Sequence, residues 1–114
     1  MQLKFVWIGA TRNLHYRHLE TDYLSRIRRF SAAEIVAVRE GRKRDPRQTE
    51  RQLEREASRV HKALGRGSYV VCLDETGEER SSRQLSAWLS GVGRSGHREV
   101  AFVVGGHYGL SGPL

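Results

Sequence analysis

A chain of 114 residues is long enough to bury one hydrophobic core and too short for two, so residues 1–114 are expected to form a single domain. Hydrophobic residues make up 38% of the chain and charged residues 29%, and the mean hydropathy is −0.60, which is typical of a globular protein with a charged surface. No apolar stretch approaches the roughly 18 residues of a membrane helix, no secretory signal is recognised, and Cys72 has no disulfide partner, so we expect a cytoplasmic protein without membrane contact.

The charge balance indicates a polyanionic partner, because the formal charge is +7 and the pI is near 10.3. Eight basic residues stand against three acidic ones between residues 26 and 47. Guanidinium groups pair bidentately with phosphate, so this run, which includes Arg42, Lys43 and Arg44, predicts a phosphate-binding face. A solvated surface is the alternative, and the arginines at residues 26–29 also suit the dipole at the end of a helix.

The first half of the chain alternates strand and helix patterns. Residues 3–9 are nearly continuously apolar and predict a buried strand closed by Gly9. A helical apolar stripe follows, formed by Leu19, Tyr23, Ile27 and Phe30. Residues 34–39 predict the second strand. Asp45 and Pro46 then read as the N-cap and first residue of a charged helix that runs to about residue 64.

The second half continues the alternation. Residues 68–74 predict a third strand, in which Cys72 is expected to be a small core residue. Ser81 or Ser82 caps a short helix, from which Leu85, Trp88 and Leu89 face inward, and Gly91, Gly93 and Gly96 form a link to the next strand. Residues 99–104 are apolar enough for a strand buried on both faces.

The order β-α-β-α-β-α-β predicts an α/β fold with a parallel sheet, right-handed crossovers and helices on both faces. Ligands of such sheets bind beyond the carboxyl ends of the strands. The turn after Leu73 and the glycine loop Gly105-Gly106-x-x-Gly109 therefore open on the same edge, and we expect the ligand site there. No P-loop, dinucleotide-binding or nucleophile-elbow motif accompanies them.

Other polar residues near this edge have two interpretations each. Asp74 either contacts a ligand or only begins a turn. Asp74 and His107 are both near the expected site, but the residues do not identify a catalytic base. His15 and His18 have a metal-like spacing without matching carboxylates or cysteines, so no metal site is expected.

Six segments in the right order together resemble the RlmH family, which comprises small SPOUT-class enzymes. The segments are residues 1–9, 22–27, 34–36, 71–77, 81–85 and the run Phe102-Val103-Val104-Gly105-Gly106-His107-Tyr108-Gly109-Leu110. The resemblance implies a SPOUT-like α/β knot fold. It also implies transfer of a methyl group from S-adenosylmethionine to N3 of a pseudouridine in 23S ribosomal RNA, by a homodimer that acts on the ribosome.

By the same resemblance, Leu73 and Gly105 contact S-adenosylmethionine, while Gly106 and Gly109 shape the loop. The basic run that includes residues 42–44 becomes the candidate RNA contact. Family members continue with a strand and a helix that form the knot and much of the dimer interface, whereas this chain stops at Leu114. We therefore expect a C-terminally short domain without the knot segment, whose fourth strand has one unpaired side.

Two other functions remain open on the sequence. One is a non-catalytic RNA- or ribosome-binding remnant that keeps the basic face without the cofactor site. The other is a generic nucleotide-binding α/β domain of flavodoxin-like shape, although no phosphate loop supports it.

Overall fold

A computed structural model describes residues 1–39 and 49–105 of the chain, with Thr49 described by its backbone only. The described residues form four strands and three helices in strict alternation, as the sequence predicts. They are β1 (Gln2–Ile8), α1 (Leu14–Ile27), β2 (Ala32–Val38), α2 (Thr49–Ala63), β3 (Ser68–Leu73), α3 (Ser82–Arg94) and β4 (Glu99–Val104).

The four described strands form one parallel sheet in the order β2-β1-β4-β3. The last strand in the chain is therefore an inner strand, paired with β1 on one side and β3 on the other. The expectation that β4 leaves one side unpaired is wrong. Residues 99–103 are all buried, and all but Glu99 are apolar; this explains the position, because a strand that is apolar on both faces is most stable in the middle of a sheet.

Two apolar layers cover the two faces of the sheet. On one face, Leu3, Val100 and Phe102 pack with side chains of α1 and α3, including Leu24 and Trp88. On the other face, Val6, Ile8 and Val103 pack with Val60 of α2. The alternation of side chains along each strand thus divides the core into two clusters, as in other sheets with helices on both sides.

Local capping explains where two helices begin. The side chain of Asn13 accepts hydrogen bonds from the backbone N–H groups of His15 and Tyr16, at 2.9 and 3.3 Å. Ser81 and Gln84 form a reciprocal capping box at the start of α3, which confirms the first of the two predicted caps. The cap predicted at Asp45 and Pro46 lies outside the described residues.

The amino edge of the sheet is closed by a buried polar network. Lys4 Nζ lies 3.0 Å from Glu99 Oε1 and donates to the carbonyl of Ala63 at 2.9 Å. Glu99 Oε2 accepts from the N–H of Gly65 at 3.1 Å and from the Ser68 hydroxyl. A Cβ at Gly65 would lie 3.1 Å from this carboxylate oxygen, so the close approach favours glycine. The network ties the end of α2 to β1, β3 and β4.

The apolar stripe predicted on α1 is buried only in part. Leu24 and Ile27 pack against the core, whereas Leu19 and Tyr23 are exposed. Phe30 lies beyond the helix and is 90% exposed, so its inclusion in the stripe is wrong. The helix diverges from the sheet toward its N-terminus and leaves a groove beside β1 and β2, lined by Phe5 and other residues of both elements.

Helix α3 is longer than the sequence predicts. Gly91 and Gly93 lie inside it, and only Gly96, with φ of +86°, belongs to the link before β4. Burial of Val92 and packing of Trp88 against the core offset the roughly 1 kcal/mol that a helical glycine costs. Leu85 also differs from expectation, because it remains 42% exposed.

Candidate functional site

The carboxyl edge of the sheet carries a row of four residues in direct register. Ala37 pairs with Trp7, Trp7 with Val104, and Val104 with Leu73. All four side chains lie on the face covered by α1 and α3, because strand residues of the same parity share a face. Neighbouring strands are about 4.8 Å apart, so Leu73 and Trp7 are separated by about 10 Å.

Leu73 and Gly105 lie at adjacent strand ends, which confirms that the ends of β3 and β4 share one edge. Leu73 is the last residue of β3 and is 52% exposed. Gly105 directly follows its register partner Val104 and is half-buried. An exposed leucine beside a glycine offers an apolar contact at a place where the backbone can be approached closely. Gly106, Gly109 and His107 lie outside the described residues.

The segment after Leu73 is a tight turn. The N–H of Gly77 donates to the carbonyl of Asp74 at 3.1 Å, and the Thr76 hydroxyl donates to Asp74 Oδ2 at 2.5 Å. The Thr76 hydrogen bond, supported by the N–H groups of Glu75 and Thr76, outweighs desolvation and lowers the pKa of Asp74. Asp74 therefore begins a turn, and its carboxylate is ionised at neutral pH; its contact with a ligand stays a prediction.

Cys72 belongs to the opposite face of the sheet from Leu73. It is half-buried and packs against the cluster under α2. Burial raises the pKa of its thiol, and the negative charge of Asp74 raises it further. The thiol is therefore protonated at neutral pH, which agrees with a small core residue rather than a nucleophile.

A second feature of this edge is the open end of the α1 groove, which the sequence did not indicate. Its volume is about 520 Å3, and its walls come from the β1 and β2 ends and from α1; the lining residues include Trp7, Thr11, Arg12, Arg17, Glu20 and Ile35. The sequence did not identify Trp7 as a candidate site residue, because it lies inside the apolar run of the first strand. The signal that could have found the pocket is Arg12, which follows the predicted first strand closely on the ligand-binding edge.

The basic run between residues 26 and 47 does not form one continuous face in its described part. Arg26 lies 2.8 Å from Asp22 and stacks on Tyr23, and Arg28 Nε donates to the carbonyl of Ala33. These groups lie at the amino edge, whereas Arg39 follows β2 at the carboxyl edge, about 20 Å away. The prediction of a single basic face is wrong for these residues, because they lie at opposite ends of β2. Arg42, Lys43 and Arg44 lie outside the described residues.

Metal and membrane features were also sought over residues 1–39 and 49–105. No cluster of potential metal ligands occurs there, and His15 and His18 are exposed side chains. None of the described helices combines the length and apolar character needed to cross a bilayer.

Comparison with known proteins shows the same similarity along the whole chain. A family model described as "Predicted SPOUT methyltransferase" matches residues 1–114. Proteins named "Ribosomal RNA large subunit methyltransferase H" are 35% identical in Geobacter sp. (strain M21) and 33% identical in Pelobacter propionicus, each over 97% of this chain. The protein of that name from Geotalea daltonii is 35% identical over the full chain.

The chain spans 70% of the Geobacter protein, 71% of the Pelobacter protein and 72% of the Geotalea protein. The parallel sheet with helices on both faces agrees with the architecture expected from the resemblance. A full-length family match and relatives above 30% identity establish the assignment: this chain belongs to the SPOUT methyltransferases and, within them, to the RlmH family.

Proposed function

We propose that this protein is an S-adenosylmethionine-dependent methyltransferase that modifies N3 of a pseudouridine in 23S ribosomal RNA. The observation that supports the proposal is the position of Leu73 beside Gly105, at the carboxyl ends of adjacent strands in a chain of this family. This is the edge at which open parallel sheets bind their ligands. The names of the relatives, which are ribosomal RNA methyltransferases, support the substrate class.

The described residues fit a role in holding the cofactor. Leu73 offers an exposed apolar side chain of the kind that packs against an adenine ring. Because Gly105 has no Cβ, its backbone can approach a ligand closely. We propose that Gly106 and Gly109 continue that contact. The tight turn from Asp74 to Gly77 fixes the path of the chain beside Leu73.

The proposed methyl transfer requires little covalent chemistry from the protein. The methyl group comes from the sulfonium of bound S-adenosylmethionine; the new bond forms to N3, and the N3 proton passes to solvent or to a base that the described residues do not identify. The protein contributes by holding the reacting atoms in line and by excluding alternative poses. The charge of +7 favours association with ribosomal RNA.

The proposal includes the setting of the reaction. We place the protein in the cytoplasm, with the ribosome as substrate and residues 1–114 acting as one domain. Sedimentation at micromolar concentration tests whether this chain forms the homodimer that the resemblance implies. Arg42, Lys43 and Arg44 are proposed to contact ribosomal RNA, since they carry three adjacent positive charges.

Calorimetric titration with S-adenosylmethionine and methyl transfer to ribosomes test the function together. We expect saturable binding by the folded protein and incorporation of a labelled methyl group at a pseudouridine of 23S ribosomal RNA. A folded sample that neither binds the cofactor nor methylates ribosomes would overturn the proposal. If that sample still bound ribosomes in a salt-sensitive manner, the non-catalytic RNA-binding alternative would replace it.

A further inference from the structure

The open end of the α1 groove combines an aromatic wall with two arginine side chains. Trp7 and Ile35 supply the apolar side of this pocket, and Arg12 and Arg17 supply the charged side. Trp7 Nε1 is buried and has no hydrogen-bond partner, a condition that is rare in folded proteins. A flat ligand with polar edges is the class that such a pocket accommodates, because it can cover the indole and satisfy polar groups at the rim.

The two arginines outnumber Glu20, the one carboxylate among the lining residues, and they form no ion pair within the described part of the chain. The ion pairs found there involve Lys4, Arg26 and Arg80, and none includes Arg12 or Arg17. Both guanidinium groups flank the start of α1, whose first turn has no acidic side chain. The positive end of the helix dipole adds to their charge, so the rim of the pocket attracts an anion such as a phosphate group.

Glu20 gives the pocket a hydrogen-bond acceptor as well. Its Oε1 accepts from the Thr11 hydroxyl at 2.5 Å, which fixes the carboxylate at the pocket wall, and Oε2 has no partner among the described residues. A carboxylate oxygen in this position can accept an N–H from the edge of a nucleobase. The pocket therefore contains separate groups for the ring, the edge and the phosphate of one nucleotide.

The position of the pocket relates it to the proposed cofactor site. Trp7 and Leu73 belong to the same row across the sheet and are about 10 Å apart, with Val104 between them. Their side chains also lie on the same face. One strand of RNA can therefore reach both places with nearby nucleotides.

From this arrangement we propose that the pocket bounded by Trp7, Arg12, Arg17 and Glu20 binds an unpaired nucleotide next to the methylated one. The base lies against Trp7, Glu20 accepts an N–H from it, and Arg12 and Arg17 hold its phosphate. This subsite rests on the proposed function for its RNA substrate. Its role is to position the RNA strand, and no bond is made or broken there.

Binding of a short single-stranded oligouridylate tests the subsite. Replacement of both arginines in R12A/R17A is expected to weaken binding by roughly tenfold, because two phosphate contacts are lost. The matched control is R29A/R94A, which removes the same charge at the amino edge and is expected to change the affinity by less than about twofold. Circular dichroism establishes that all samples are folded.

Fluorescence tests the contact with the base. In a Trp88→Phe protein, Trp7 is the only indole, and binding of the oligouridylate is expected to quench its emission. An oligonucleotide with an abasic position in place of each base in turn should lose the quenching at one position. Quenching that is equal for every abasic probe, or absent altogether, would overturn the stacking contact and with it the subsite.

The remaining outcomes also decide the proposal. If R12A/R17A and R29A/R94A weakened oligouridylate binding equally, the loss would be an effect of net charge alone, and the nucleotide subsite would be overturned. The protein could instead self-associate in a concentration-dependent way that R12A/R17A abolishes, with no effect on RNA binding. That result would assign the pocket to a second copy of the chain and would also overturn the nucleotide subsite. Calorimetry with S-adenosylmethionine on the same variants separates the two proposals, since R12A/R17A should retain the affinity of the unchanged protein.

Discussion

The two edges of the sheet differ in how completely their polar groups are satisfied. At the amino edge, Lys4 and Glu99 are both about one-tenth exposed, and their charged atoms contact each other, Glu34, the Ser68 hydroxyl and backbone groups. At the carboxyl edge, Leu73 is half exposed, and Arg12 and Arg17 have no ion-pair partner among the described residues. The closed edge ties the end of α2 to the sheet, and the open edge is where we propose that ligands bind.

The difference in burial and pairing between the two edges explains why residues with similar chemistry have different roles. A charge that is buried and fully paired contributes to stability, and its loss leaves a partner uncompensated. A charge or apolar group that remains exposed beside strand ends contributes little to folding and is free to bind. The two edges should therefore respond to substitution in opposite ways, one in stability and the other in binding.

The largest expected effect is the loss of stability on breaking the closed edge. Lys4→Met should lower the free energy of unfolding by about 3 kcal/mol, because the Glu99 carboxylate stays buried without its cation. The double variant Lys4→Met, Glu99→Gln should be more stable than the single one, since the amide keeps an acceptor for Gly65 and Ser68 without the charge. Urea unfolding measures both. Equal stability of the two variants would show that the ion pair is not the source of the loss.

Substitution at the open edge should affect binding instead. Leu73→Asn is expected to weaken the binding of S-adenosylmethionine by roughly tenfold, because about 1.5 kcal/mol of apolar contact is lost. Its stability should stay within about 0.5 kcal/mol of the unchanged protein, since the side chain is already exposed. Leu85→Asn on α3 is the matched control for calorimetry. Unchanged affinity in Leu73→Asn would remove Leu73 from the cofactor site.

Acid should weaken the closed edge selectively. Burial opposes ionisation of Glu99, but hydrogen bonds from Ser68, Lys4 and Gly65, together with the charge of Lys4, outweigh it and lower its pKa below the ordinary 4.5. Its contribution to stability is complete above that value and is lost as the pH falls through the lowered pKa. Urea midpoints should therefore fall more steeply between about pH 5 and about pH 3 than they do in Glu99→Gln. Parallel profiles would contradict this origin.

The smallest effect is expected in the helix that connects the two edges. Gly91 lies inside α3, and a Cβ there meets no atom within 4 Å. Gly91→Ala should raise the free energy of unfolding by about 0.5–1 kcal/mol, because alanine loses less backbone entropy in a helix. Thermal melting checks the gain, and calorimetry should show unchanged cofactor affinity. A loss of stability would indicate that the helix needs glycine at this position for packing.

The sequence was sufficient for the elements and for the edge that carries the candidate site. Alternating strand and helix patterns require parallel strands, and parallel strands bring the residues after Leu73 and Val104 to one edge wherever the strands lie. The order of strands was not accessible, because alternation does not specify neighbours. The apolar run of β4 correctly predicted a strand buried on both faces, whereas the expectation of an unpaired side is wrong. Gly91 and Gly93 were assigned to a link because local propensity does not include the packing of α3.

The groove shows a second limit of pattern analysis. Leu19 and Tyr23 have helical spacing, but spacing does not determine how closely a helix approaches its sheet. The pocket at Trp7 depends on that separation and on the position of Arg17 across from β1. Such a site arises from tertiary geometry, which the spacing of residues along the chain does not specify.

The inner position of β4 also has a consequence for the order of folding. Without residues 99–104, β1 and β3 have no strand between them, and the sheet is reduced to the β1–β2 pair and a separate β3. During synthesis the ribosome must therefore release almost all of the described chain before these pieces can combine. Assembly of the four-stranded sheet therefore waits for residues 99–104 to emerge, and it must then close long loops between strands that are distant in sequence.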